Sequence, residues 1–169
     1  MALGRTNINL PEIPIKPKLL WLYNEGDEYV DVTGGWSKGV HTIVDGLGTV
    51  TKQADRILLQ ITSVTSDDCP IATVNKVDLT KYSKICASYI GIVGSTTNKA
   101  PTMRVSANSV RGTNGGTAVA SKNFDGTSSV IVEVDISSVT GEWYVAAGIH
   151  CGDATKTATA YIDKVWLEP

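Results

Sequence analysis

The sequence has little of several residue types on which other classes of protein depend. Its 169 residues include one Phe, two Met, two His and three Cys. Cys69, Cys86 and Cys151 are odd in number and show no CxxC spacing, which argues against a disulfide framework and for synthesis in a reducing cytoplasm. No stretch approaches the ~20 consecutive apolar residues that span a bilayer, and the first residues lack the apolar core of a secretory signal. We therefore expect no signal peptide and no membrane contact.

Charge and missing motifs exclude further classes of function. The 15 basic and 17 acidic residues give a net charge of −2 without a basic run, so nucleic acid is not an expected partner. No GxSxG motif occurs, and Gly46-Leu47-Gly48 lacks the features of a phosphate loop. Asp67 and Asp68 are adjacent, so they would not flank a sugar bond as glycosidase carboxylates do. The sequence predicts a non-enzyme.

The residues that are plentiful (Gly, Thr, Ser and Val) favour β-structure with many turns. Short runs with a period near two recur along the chain, and no window combines an apolar stripe at helical spacing with helix caps. The predicted strands are 19–23, 28–32, 39–44, 48–53, 56–64, 71–79, 84–93, 102–108, 128–136, 142–150 and 157–168. We expect an all-β protein made of two packed antiparallel sheets.

The prolines indicate where the domain begins. Pro11, Pro14 and Pro17 recur at every third position, which favours an extended chain without backbone pairing. Residues 1–18 are therefore predicted to be an N-terminal arm that docks on a partner or runs along a sister subunit, and residues 19–169 to be the domain. Within the domain, the polar and glycine-rich stretch 108–129 is predicted to be a loop with at most a short edge strand at TAVAS.

One local pattern occurs twice. VDLT at residues 77–80 and VDIS at residues 134–137 each combine an Asp, an aliphatic residue and a hydroxyl before the next strand. Such a trio ends a strand and turns the chain through bonds between side chain and backbone. We expect two similar corners rather than a repeat protein.

These corners, and the ending AYIDKVWLE (160–168), resemble those of jelly-roll sandwiches of the carbohydrate-binding-module and galactose-binding type. LYNEGDEYVDVTGGW (22–36), together with VDLTKYSKICASY and YIDKVWLE, is similar to tail-associated structural proteins of phages and prophages of Gram-positive bacteria. The start MALGRTN also resembles their leaders. The resemblance implies a jelly-roll β-sandwich located in the virion, with the arm bound to other tail proteins. It also implies a homo-oligomer, with a trimer favoured as in phage fibre domains.

Saccharide binding would need aromatic rings that face away from the core. Strand alternation places Trp143, Val145, Ala147 and Ile149 on the core face and Tyr144 outside. By the same rule Arg104 points outward between Met103 and Val105. In the last strand Tyr161, Val165 and Leu167 are predicted to point inward and Trp166 outward, and a turn at Gly34 and Gly35 would present Trp36. The predicted ligand-binding residues are Trp36, Arg104, Tyr144 and Trp166, and for each one ordinary packing is the alternative.

The resemblance also raises the question of a metal. In the sugar-binding jelly rolls, an acid of the last strand often joins an acid of the first strand to hold a structural Ca²⁺. Asp163 matches the last-strand position, and Glu25 or Asp27 lies in the early region, although the fuller early pattern of these proteins is missing. The alternative to a metal site is that the carboxylates of the early region lie in a turn and are merely solvated. We expect no cofactor, and Ca²⁺ at Asp163 and Asp27 is the one metal considered.

Three functions follow from these observations. The first is a non-catalytic tail protein whose jelly roll attaches to saccharide of the host cell wall. The second is a purely structural virion part, such as a decoration or fibre-head domain, whose aromatic residues serve subunit contacts. The third is a carbohydrate-binding module of a system that degrades polysaccharide.

Overall fold

The computed structural model describes residues 18–26, 48–62, 67–94, 102–110, 118–125, 129–151 and 157–169. These residues form strands and turns without a helix, so none of them belongs to a helix that could cross a membrane. The predicted strands at 28–32 and 39–44, the candidates Asp27 and Trp36, and all of the predicted arm except Lys18 lie outside the described residues.

Eleven strands are described. In chain order they are β1 (Leu20–Asn24), β2 (Gly48–Lys52), β3 (Ile57–Thr62), β4 (Asp67–Ala72), β5 (Val77–Asp78), β6 (Lys84–Gly94), β7 (Thr102–Asn108), β8 (Ala118–Asp125), β9 (Val130–Asp135), β10 (Glu142–Cys151) and β11 (Thr157–Glu168). The predicted strand at 71–79 is in fact two, β4 and β5, because the chain turns at residues 74–76.

The strands form two antiparallel sheets in the order of a jelly roll. The first sheet runs β2-β3-β11-β6-β9 with β1 also on β11, and the second runs β4-β10-β7-β8 with β5 also on β10. Four strands of the first sheet each have a chain neighbour in the second sheet: β3 has β4, β11 has β10, β6 has β7, and β9 has β8. The neighbours follow the same order in both sheets. A ribbon of paired strands wrapped around one core produces this order. The predicted jelly-roll β-sandwich is confirmed.

The core lies between the two sheets and is built from alternate residues of each strand. Met103, Val105, Val145, Ala147 and Ile149 are all 0% exposed, as predicted, and Trp143 is half-buried against them. The first sheet contributes Leu59, Ile61, Ile85, Tyr89, Ile162, Val165 and Leu167 to the same cluster. Burial of a large aliphatic side chain stabilises by about 1.5–3 kcal/mol, so this cluster is the main source of stability.

One orientation in the last strand was predicted wrongly. The register of β11 with β6 shifts between Ile162 and Lys164, which leaves Asp163 as an extra residue. A bulge of one residue reverses the alternation of side chains beyond it. Ile162 and Val165 are therefore both buried, whereas Tyr161 lies on the outer face with Lys164 and Trp166. The inward prediction held for Val165 and Leu167 but not for Tyr161.

The two predicted corners are confirmed and share one hydrogen-bond pattern. At the end of β5 the Asp78 carboxylate accepts from the Thr80 amide at 3.0 Å and the Thr80 hydroxyl at 2.6 Å. At the end of β9 the Asp135 carboxylate accepts from the Ser137 amide at 2.8 Å. These bonds lower the pKa of both carboxyl groups. The first corner also joins the second, because the Gly141 amide donates to the Thr80 hydroxyl at 3.0 Å.

The stretch 108–129 contains more structure than its composition suggests. Strand β8 covers eight residues and pairs with β7 along its whole length, whereas only a short edge strand at TAVAS was predicted. Its exposed residues Val119, Ser121 and Lys122 fit the edge of a sheet. An edge strand with little buried surface lacks a clear apolar alternation, and pattern reading misses it for this reason.

The turn after β1 generates a test of the fold. Glu25 and Gly26 have φ of 47° and 93°, and a Cβ on Gly26 would collide with the carbonyl oxygen of Ala54 in the β2–β3 hairpin. We expect Gly26→Ala to lower the free energy of unfolding by about 2–5 kcal/mol, through backbone strain and the collision together. Urea denaturation measures the change.

Gly141→Ala is the matched control for this substitution. Gly141 has a φ of 84° but no atom within 4 Å of the added Cβ, so only backbone strain of about 1–2 kcal/mol is expected. Equal losses in the two variants would contradict the close approach of the first turn to the β2–β3 hairpin.

Candidate functional site

The outer face of the β4-β10-β7-β8 sheet carries two of the predicted ligand-binding residues. Tyr144 pairs with Asn108, and Gly148 pairs with Arg104, in a regular register without a bulge. Alternate residues of a strand share one face, so Tyr144 and Arg104 both point away from the core. The two levels are four steps apart along β10, a distance of about 13 Å.

Small side chains lie between these two residues. They are Ala146 on β10, Ser106 on β7 and Ala72 on β4, which are 5%, 4% and 0% exposed. Gly148 continues the row. We call the set Tyr144, Ala146, Gly148, Arg104, Ser106 and Asn108 the Tyr144–Arg104 surface. Its centre is buried, and a large half-buried side chain lies at each end.

Polar contacts order the Tyr144 end of this surface. The Asn108 amide nitrogen donates to the Ser106 hydroxyl at 2.7 Å, and both side chains are buried. The Lys76 ammonium lies 5.9 Å from the centre of the Tyr144 ring, within range of a cation–π interaction. The ring is thereby held beside a positive charge and a hydrogen-bonded amide.

The Arg104 end is supported from inside the core. Tyr89 on β6 crosses the sandwich, and its hydroxyl lies 2.8 Å from the Gly148 carbonyl oxygen and 3.1 Å from that of Arg104. Burial raises the pKa of Tyr89, so the hydroxyl stays protonated and donates to these acceptors. Sequence patterning predicted neither Tyr89 nor its contacts, because the bond joins residues 59 positions apart.

Trp166 lies elsewhere, on the outer face of the other sheet. It is 8% exposed, its indole nitrogen donates to the Glu168 carboxylate at 2.9 Å, and its ring packs against Trp21 with centroids 5.5 Å apart. The structure therefore brings Arg104 and Tyr144 to one surface and places Trp166 on the opposite side of the sandwich. Trp21, the more exposed ring of the pair, was not among the predicted residues.

Tyr161 provides a second feature of this opposite face. Its ring lies over Gly91, where an added Cβ would come within 2.9 Å of it, and the Arg56 guanidinium lies 5.4 Å from the ring centre. An aromatic ring that covers a glycine of the neighbouring strand stabilises the sheet at that point. We assign Tyr161 to packing on this evidence.

Two of the residues considered for Ca²⁺, Glu25 and Asp163, are close in space. The Glu25 amide donates to the Asp163 carbonyl oxygen at 2.8 Å, so the first turn and the last strand do meet. The Glu25 carboxylate is occupied by Lys164 at 2.8 Å, and one buried oxygen of the Asp163 carboxylate has no hydrogen-bond partner. Within the described ranges, no group of three or more His, Cys, Asp or Glu side chains lies close enough together to hold a metal ion. Ca²⁺ needs six to eight oxygen ligands. The described residues alone do not fit the ion; Asp27 lies outside them, so this site stays a prediction.

Cys86 offers no reactive group. It is fully buried under the outer face, and burial raises the pKa of its thiol to about 12. A thiol that stays protonated is a poor nucleophile and a poor metal ligand.

Comparison with known proteins identifies the fold. The chain matches no protein-family model and no curated protein. Among solved structures it resembles a family 30 carbohydrate-binding module at 12% identity and a TM-score of 0.50, over 90% of this chain and 100% of that chain. A structure described as CBM4 is 14% identical with a TM-score of 0.47, over 79% of this chain and 84% of that one.

A third similar structure contains a ligand. It is a family 11 carbohydrate-binding module from Clostridium thermocellum in complex with a β-1,3-1,4-mixed-linked tetrasaccharide, 10% identical with a TM-score of 0.45, over 89% of this chain and 95% of that chain. The likeness to the family 30 module shows a shared fold and no more.

The Tyr89 contact can be tested by removing a single atom. Tyr89→Phe should lower the free energy of unfolding by about 1–3 kcal/mol, since a buried bond is lost and its acceptors stay buried. Urea denaturation measures this. Tyr82→Phe is the control, because no hydrogen bond of the Tyr82 hydroxyl occurs in the described part of the chain and a change within about 0.5 kcal/mol is expected. Equal losses of stability in the two variants would contradict the role of the Tyr89 hydroxyl as a link between the sheets.

Proposed function

We propose that this domain binds saccharide without catalysis and that the Tyr144–Arg104 surface is its binding site. The observation that carries the proposal is the register of β10 with β7, which places an aromatic ring and a guanidinium on one face with small side chains between them. The jelly-roll fold, shared with the carbohydrate-binding modules named above, supports the same function.

The chemistry of the surface suits a short stretch of polysaccharide. A tyrosine ring can stack on the apolar face of a sugar, and the guanidinium and amide groups can bond its hydroxyls. The residues between the two ends, Ala146, Gly148 and Ser106, are buried, so Tyr144 and Arg104 are the groups that a sugar chain would contact. Lys76 beside the Tyr144 ring adds a further donor at one end.

The wider biological setting belongs to the same proposal. The motifs 22–36, 77–89 and 161–168 resemble tail-associated proteins of phages and prophages, and this resemblance supports attachment to the host cell wall from a virion. In that setting the N-terminal arm contacts other tail proteins and the chain forms a homo-oligomer. A purely structural virion role without saccharide binding is the competing function, because aromatic pairs such as Trp21 and Trp166 also suit protein contacts.

The site is tested by Tyr144→Ala. We expect this variant to lose about 1–3 kcal/mol of binding free energy for its polysaccharide, as happens when one anchoring ring is removed from an interface. The fold should survive because Tyr144 faces away from the core. Affinity electrophoresis against a panel of cell-wall polysaccharides, followed by calorimetry on the one that binds, measures the loss. Co-sedimentation with purified Gram-positive cell walls tests the attachment role separately.

Trp143→Ala is the matched control on the same strand. Trp143 is half-buried against the core and donates to the Thr140 carbonyl at 2.9 Å, so its loss should lower stability by about 2–3 kcal/mol and leave the binding constant of the folded protein unchanged. Undiminished binding by Tyr144→Ala would place the site elsewhere. Failure of the wild-type protein to bind any polysaccharide or cell wall would favour the structural role.

A further inference from the structure

Strand β9 forms one edge of the first sheet as the described residues define it. Within the described ranges β9 pairs with β6 and with no other strand. The amide of Ile136 donates to the Ser83 carbonyl at 2.8 Å, which fixes the phase of this antiparallel ladder. Hydrogen-bonded pairs alternate along such a ladder, so the amide and carbonyl groups of Ile131, Glu133 and Asp135 point away from β6.

The β9 edge lacks the devices that protect the other sheet edges. Among the remaining edge strands, β2 carries Lys52, β4 contains Pro70, and β8 has Lys122 and a register shift at its start. Lysine, proline and bulges each discourage pairing with another chain. Strand β9 has none of these, and its register with β6 is unbroken over six residues.

The side chains of β9 also favour a partner. Ile131 is 56% exposed on the outer face, an unusual position for a large aliphatic residue on an open edge. The Glu133 carboxylate is already bound by Lys84 at 2.8 Å, and that of Asp135 accepts from the Ser137 amide. The charge of Glu133 is thus balanced by that of Lys84. An open groove of about 500 Å³ lies between β9 and β8 and leaves space beside the exposed backbone.

We propose that β9 pairs antiparallel with β9 of a second copy, which joins two sandwiches into a two-fold dimer. A row of outward amides and carbonyls at two-residue spacing is complementary to another strand. If Val132 lies opposite its own counterpart, Ile131 of each copy faces Glu133 of the other, and both residues have outward backbone groups. The edge is therefore complementary to itself, as a two-fold interface requires.

Two substitutions of exposed aliphatic residues separate the edge from the face. Ile131→Lys places a charge on the β9 edge, and Val93→Lys places the same charge on the outer face of β6 beyond the end of β9, where Val93 is 64% exposed. Sedimentation velocity from micromolar to millimolar concentration measures the dimer constant, and circular dichroism checks the fold. We expect a dimeric wild type, at least a tenfold weaker dimer for Ile131→Lys, and no change for Val93→Lys.

A proline variant tests the backbone itself. The Ile131 amide points outward, so Ile131→Pro removes a donor that only the dimer uses, and proline is tolerated at such edge positions. It should be a folded monomer. A wild type that stays monomeric at millimolar concentration would overturn the proposal. It would do so even if an unrelated extended peptide bound to the β9 edge. Equal weakening by Val93→Lys would overturn it in favour of contact through the sheet face.

Discussion

The hydroxyl group of Tyr89 makes a directional contact across the centre of the sandwich. Packing of aliphatic side chains holds two sheets together but is non-directional, so it tolerates sliding of one sheet over the other. A hydrogen bond to two carbonyl oxygens, at 2.8 and 3.1 Å, specifies which residues face each other. The acceptors belong to Gly148 and Arg104, which pair across β10 and β7. The alignment of the core and the position of the candidate site thus depend on the same contact.

The second constraint is the partner change along β11. Its first half, through Ile162, pairs with β3, and its second half, from Lys164, pairs with β1 on the same side. Asp163 lies where one partner ends and the other begins, and its carbonyl accepts a hydrogen bond from the amide of Glu25, the residue that follows β1. The bulge lets one long strand serve both partners while keeping its apolar residues in the core. The same bulge turns Tyr161 outward to cover Gly91.

Sequence patterning succeeded where the ladders are regular. The alternation in β7 and β10 predicted the inward set around Met103 and Val145 and the outward Arg104 and Tyr144, because no bulge interrupts either strand where the two pair. The Asp corners were also predictable, since their bonds span only two residues. Tyr161, β8 and Tyr89 were missed or misplaced for one shared reason. Each depends on its place in the sheets, through a bulge, an edge position or a bond across the core, and none of these leaves a mark on local periodicity.

The two proposed surfaces are compatible because of where each lies on the sandwich. Strand β9 is an edge of the first sheet, whereas the Tyr144–Arg104 surface is the outer face of the second. When two identical edges pair antiparallel, a two-fold axis perpendicular to the sheet relates the two copies. Corresponding faces of the two copies then point the same way. Both Tyr144–Arg104 surfaces would then face one side of the dimer. A polysaccharide presents its binding units repeatedly, and a second site on the same side raises the effective concentration for the second contact. A weak single surface would thus suffice for firm attachment to a polymeric wall.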